Sequence, residues 1–118
     1  MDEGDLKRRT KQFSLRVIKL VETLPNTTTA RTIGNQLLRS GMSVGANYRA
    51  ACRGKSKADF IAKAGISLKE ADECLYWMEL LQEAGIFQVD RLKDLMKEAD
   101  ELVAIFTASI KTARANAR

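Results

Sequence analysis

RTIGNQLLRSGMSVGANYRAACRGKSK, residues 31–57, carries two opposite faces at helical spacing. At about 100° per residue, Ile33, Leu37, Ser40, Gly41, Val44, Tyr48 and Ala51 fall within an arc of about 100°, the packing face of one long helix. Arg31, Arg39, Arg49 and Arg53 share an arc of about 80° on the opposite side. Gly34, Gly41 and Gly45 lie inside the same pattern, and each costs on the order of 1 kcal/mol of helix propensity relative to alanine. Close approach of a neighbouring backbone is the usual reason for such glycines. The competing reading is a break near Gly41 that leaves two shorter helices.

Upstream, Leu6, Phe13, Val17, Leu20, Val21 and Leu24 recur at helical spacing, with Lys7, Arg8, Arg9, Lys11, Arg16 and Lys19 on the other face. Pro25 follows, and Asn26 to Thr29 supply a turn and N-caps for the organising helix. Downstream, Gly54 ends that helix and Ser56 begins the next, spaced S-x-x-D with Asp59 in the manner of a capping box. So short a connection forces an antiparallel αα-hairpin.

The third helix has a main stripe of Phe60, Ala64, Ser67, Ala71, Cys74, Leu75, Met78 and Leu81. It has a displaced second strip of Ile66, Trp77 and Leu80, with Glu70 and Glu73 between the two. Gly85 closes it, and Asp90 is the expected N-cap of a fourth helix built on Leu92, Leu95, Met96, Ala99, Val103, Phe106 and Ile110. The terminal TARANAR, residues 112–118, should fray. No segment reads as a strand. The expected fold is all-α, an antiparallel up-down-up-down four-helix bundle in a single domain over residues 1–118, with helices at about 5–24, 29–54, 57–84 and 90–114.

The 118 residues carry 20 Lys+Arg against 15 Asp+Glu, a net charge of +5, which permits an anionic partner without requiring one. The charge is unevenly placed. Residues 25–60 hold six bases and one acid, residues 61–88 two bases and five acids, so a basic helix should lie beside an acidic one. With no histidine, the commonest general base and zinc ligand is missing, and so is the Glu-x-x-His pair of di-iron bundles. The glycines sit inside a helix and make no phosphate loop, and Cys52 and Cys74 read as buried structural thiols. The chain is therefore expected to be no enzyme and to need no cofactor or metal. No apolar run reaches the roughly 18 to 20 residues of a membrane span. The opening MDEGDLKRR does not read as a signal peptide, so a cytoplasmic protein is expected.

Two surfaces are candidates for binding. Arg31, Arg39, Arg49 and Arg53, extended by Lys55 and Lys57, would meet nucleic acid; the alternative is a solvated face, or one paired with acids from a neighbouring helix. Tyr48 faces the core side, so any contact would be to phosphates and weakly sequence-specific. Ile66, Glu70, Glu73, Trp77 and Leu80 would form an oligomer interface with the arginine face of another copy; the alternative is that the adjacent helix covers the strip.

Three pieces of sequence carry a family resemblance: R-S-x-x-S-V-x-x-N at Arg39 to Asn47, the basic turn at Arg53 to Ser56, and S-x-x-E at Ser67 to Glu70. With them, Gln36 to Phe87 resembles the four helix bundle proteins encoded within intervening sequences of bacterial large-subunit rRNA genes. Many members read N-I-A-E-G where this chain has Asn47, Tyr48, Arg49, Ala50 and Ala51, so the acid of the commoner form is missing. The resemblance implies a left-handed up-down-up-down bundle, a homopentameric ring and no established enzymatic activity. The chain is also similar to accessory proteins of diversity-generating retroelements, whose basic pentamers bind a reverse transcriptase and nucleic acid. The expected protein is thus a self-associating bundle that contacts RNA, rRNA for example, or else serves as a protein-binding scaffold.

Overall fold

In a computed structural model, which describes residues 1–116 apart from the Val89 side chain, helix starts coincide with side chains able to take up free amides. Helix α1, Glu3–Glu22, opens with a reciprocal capping box: the Asp5 N–H donates to Asp2 at 2.8 Å and the Asp2 N–H donates to Asp5 at 3.0 Å. That backbone bond, and then Arg8, holds the Asp5 carboxyl below its usual range. Helix α2, Thr28–Cys52, is capped by Thr27, which accepts from the Ala30 N–H at 3.1 Å. Helix α3, Lys57–Glu83, is capped by Ser56, which accepts from the Asp59 N–H at 3.1 Å. Helix α4, Val89–Ala115, departs from expectation: its N-cap is Gln88, without a side-chain bond, and Asp90 stands in the first turn, where its charge favours the helix dipole. The preceding turn is set by Gly85, whose φ of +71° closes α3.

Expected ends also move, that of α2 from 54 back to Cys52. Helix α1 stops at Glu22, with Thr23 as its C-cap, so Leu24 belongs to the turn. Helix α4 continues through Thr112 to Ala115, past the point where fraying is expected; Ala117 and Arg118 lie outside the described residues.

Helix α2 is unbroken, and its glycines explain why. A Cβ on Gly41 would lie 2.7 Å from Val17 Cγ1, and one on Gly45 would lie 3.4 Å from the Thr10 backbone. Ser14 Oγ donates to the Gly41 carbonyl at 2.8 Å across the same contact. On its other flank α2 meets the small buried residues Ala64, Ser67 and Ala71 of α3, and Ser67 Oγ donates to the Val44 carbonyl at 2.8 Å. α4 then packs on α3. α1 and α4 meet more sparingly, and Arg9 bridges them, its Nε and Nη2 each 2.7 Å from Glu98 and Nη2 3.1 Å from Glu101. The resulting bundle measures 50 × 20 × 19 Å.

The core runs the length of the bundle from Leu6, Phe13 and Val17 through Leu37, Val44, Cys74 and Met78 to Leu92, Ala99 and Phe106. Several buried positions fall outside the expected stripes, Ala30, Gly34, Glu70 and Phe87 among them, and two show how. Leu102 takes the place expected for Val103, and Thr10 is 1% exposed because its hydroxyl donates to the Leu6 carbonyl at 2.9 Å, which removes the penalty of burying it. Conversely, Ile33, Phe60, Leu75 and Met96 are only half-buried at the margin.

The glycines give opposite expectations. Gly41→Ala gains about 1 kcal/mol of helix propensity but overpacks Val17 at a cost of about 1–3 kcal/mol, so thermal denaturation should show a net loss. Gly65→Ala, where an added Cβ meets nothing within 4 Å, should raise the melting temperature.

Candidate nucleic-acid interface

The expected basic face divides into cations held by the chain's own groups and cations left facing solvent. Arg39 belongs to the first kind. Its guanidinium donates to Glu70 at 2.8 Å, Glu73 at 3.1 Å and Ser40 Oγ at 3.2 Å. Glu70, with its side chain 5% exposed, is a buried carboxylate beside a charged partner. The adjacent Glu70 carboxyl and the Arg39 guanidinium hold the Glu73 carboxyl below its usual range. Arg31 donates to Asn26, and Lys57 donates to the Asn116 carbonyl, tying the start of α3 to the end of α4. Lys55 is exposed in the α2–α3 turn.

Arg49 and Arg53 are exposed and make no ion pair among the described residues. Both line an open groove of about 470 Å³ between α1 and α2, opposite Lys7, Arg8 and Lys11. Gly45 and Ala46 are the α2 residues between those arginines and α1, and their small size keeps the groove open above the interhelical contact. Two hydroxyls line it as well, and both are already engaged: Thr10 donates to the Leu6 carbonyl at 2.9 Å and Ser14 to the Gly41 carbonyl at 2.8 Å. Lys7 pairs with Glu3 at 3.4 Å and Arg8 with Asp5 at 2.5 Å, exposed contacts of a kind that contributes little and exchanges readily for another anion. The groove therefore offers cationic ends and almost no directed neutral donors, which suits phosphate more than a shaped small molecule.

Lys7, Arg8 and Lys11 are absent from the set the sequence pointed to. Their signal was the one-turn spacing of Lys7 and Lys11 on α1, opposite the Gly45–Ala46 pair on α2, and it becomes visible only once the register between the two helices is known.

The α3 strip also divides. Glu70 turns inward, and Trp77 and Leu80 are half-buried, with Trp77 packed against the main core. The indole Nε1 is enclosed without an acceptor. Ile66 is 44% exposed, and so is Tyr76 at 55%, an unforeseen member of this surface whose ring meets Trp77 edge-on at 5.1 Å. Cys52 and Cys74 are free thiols, Cys52 only half-buried; burial, and then Glu70 and Glu73, push the Cys74 thiol up to about 12, far from a reactive thiolate. No cluster of three metal-binding side chains occurs among the described residues.

Arg39 yields a pH test. A carboxyl whose folded pKa lies below its unfolded value stabilises the fold above the ordinary carboxylate range, and that contribution is lost as pH falls through the folded pKa. Arg39→Gln should therefore lower the melting temperature at neutral pH, with the gap to the parent closing as pH falls below the ordinary carboxylate range. A pH-independent gap would assign the effect to packing alone.

The model of the family described as "23S rRNA-intervening sequence protein" matches residues 3–108. Among solved structures, the chain is similar to a protein of unknown function from the S23 ribosomal protein family of Bacteroides thetaiotaomicron. The two are 34% identical with a TM-score of 0.87, and the match covers 94% of this chain and 99% of that one. No curated protein matches. On the family match and the shared four-helix architecture together, the chain belongs to the 23S rRNA-intervening sequence protein family.

Proposed function

We propose that the protein is a non-enzymatic, self-associating bundle of the cytoplasm that binds RNA in the groove between α1 and α2. The observation that carries this reading is the convergence of Lys7, Arg8, Lys11, Arg49 and Arg53 on one open groove whose hydroxyls are engaged by backbone carbonyls. Such a site neutralises phosphates and releases their counterions, and it reads little sequence. The family's description and the solved relative's family name both refer to ribosomal components, which supports rRNA as the first RNA to examine. Arg39 is a weaker candidate than its position on the helix suggested, because Glu70 and Glu73 already hold it.

Self-association rests on α3. Ile66 and Tyr76 are exposed, Trp77 and Leu80 lie half-covered beside them, and residues 61–88 are acidic where α1 and α2 are basic. One copy's α3 would then meet a different surface of the next, a heterologous contact that closes into a ring when its rotation allows. The family resemblance favours five copies. A competing reading, favoured by the same complementarity, is a protein-binding scaffold whose arginines are covered by subunit contacts.

Filter binding of rRNA fragments across a salt series separates the two. Affinity should fall steeply with salt, and Arg49→Glu with Arg53→Glu should weaken binding roughly tenfold or more while Arg39→Gln leaves it nearly unchanged. Salt-independent binding, or indifference to Arg49 and Arg53, would favour the scaffold. For assembly, Ile66→Glu should reduce the mass seen by light scattering with the helical signal intact; an unchanged mass would remove this strip from the interface. Trp77→Ala is the poorer variant, since it also opens the core.

A further inference from the structure

A second open groove, of about 280 Å³, lies on the other flank of α1, where Arg16, Lys19 and Thr23 face Phe87 and Arg91. Arg16, Lys19 and Arg91 make no ion pair among the described residues. The Arg91 guanidinium lies over the Phe87 ring at 4.6 Å, which positions the cation and covers the aromatic. Thr23 Oγ1 donates to the Leu20 carbonyl at 2.7 Å, so the neutral polar group is engaged here as well, while none of these three cations is held by a carboxylate among the described residues. A small-molecule site would need converging neutral donors and acceptors, which this groove lacks.

The outer face of α1 between the two grooves carries no acid, its exposed Gln12 and Leu15 standing among the cations. Residues 6–21, LKRRTKQFSLRVIKLV, contain no acid, and the acids of α1 are confined to its ends at Glu3, Asp5 and Glu22. Lys7, Arg8, Lys11, Arg16 and Lys19 wind obliquely around the exposed side of the helix, since at about 100° per residue Lys7 and Lys11 point toward α2 and Arg16 and Lys19 toward α4. From Lys7 to Lys19 the axis rises about 18 Å, room for about five phosphates at the ~3.4 Å spacing of a stacked strand.

We infer that the two grooves are one track: a single RNA strand seated between α1 and α2 crosses the outer face of α1 and places further phosphates against Arg16, Lys19 and Arg91. This rests on the RNA reading of the first groove. It extends the footprint to a surface built by α4, and it makes α1 the helix that the strand crosses.

The test uses the full chain and a uridine oligomer of about twelve nucleotides, long enough to span both grooves. The expected result is no more than one strand per chain, with a log–log salt slope that falls by about 2 in Arg16→Gln/Lys19→Gln/Arg91→Gln, at about 0.7 per lost phosphate contact. Because Arg91 covers Phe87, the double variant Arg16→Gln/Lys19→Gln serves as the folding control and should lower the slope by about 1.4. Parental affinity and slope in both variants would overturn the track while leaving the first groove standing, provided Arg49→Glu/Arg53→Glu still weakens binding. Two strands per chain would also overturn it, as two separate sites. Absence of binding by the parent would remove the RNA reading and the track together.

Discussion

The contact of Gly41 with Val17 sets where α1 lies on the bundle, and the basic surface follows from that placement. With no side chain at Gly41, Val17 occupies the space a Cβ would need, and α1 seats directly on the backbone of α2. The Ser14 hydroxyl then reaches the Gly41 carbonyl, and Thr10 comes against Gly45. This proximity is worth more than the helix propensity the glycines give up, because dispersion and burial act along the whole face whereas the propensity loss is confined to three residues. It also brings the cations of α1 within reach of Arg49 and Arg53, so that packing and electrostatics here are the same fact.

Charge is partitioned by what each cation faces after packing. Arg9 and Arg39 lie where a neighbouring helix presents paired carboxylates, and both become structural. Arg49, Arg53, Lys11, Arg16 and Lys19 lie where the neighbouring surface is small, apolar or itself basic, and they stay available. A net charge of +5 thus understates how positive the exposed side of α1 and α2 is, since much of the acid is folded into internal pairs or collected on α3.

Much of the architecture was legible because it depends on local rules. The face of α2, the caps at Thr27 and Ser56 and the left-handed Gly85 follow from periodicity and from the chemistry of single residues. The features that escaped reading depend on relations between helices or on bonds that periodicity does not score. Leu102 is the exception: it supplants Val103 in a stripe of Leu95, Ala99, Leu102 and Phe106 whose spacing was already present in the sequence. Thr10 is buried because its hydroxyl finds a carbonyl in its own helix, whereas its polarity alone would place it outside. Position on a helical wheel placed Arg39 with the other arginines, yet the carboxylates that hold it come from a different helix, one turn apart in α3.

The seam between α1 and α4 gives the bundle an uneven cohesion. Every other pairing joins helices consecutive in the chain, so most tertiary contacts are local in sequence, a topology that favours rapid folding. Closing the bundle falls to the fork of Arg9 on Glu98 and Glu101 and to a modest apolar margin. α1 is consequently the segment whose detachment disrupts the fewest contacts, and sub-global opening, the motion that amide hydrogen exchange resolves, is cheapest there. The helix with the densest run of cations is thus also the one with the thinnest tertiary support, and a bound polyanion that touched both its flanks would fasten it from outside.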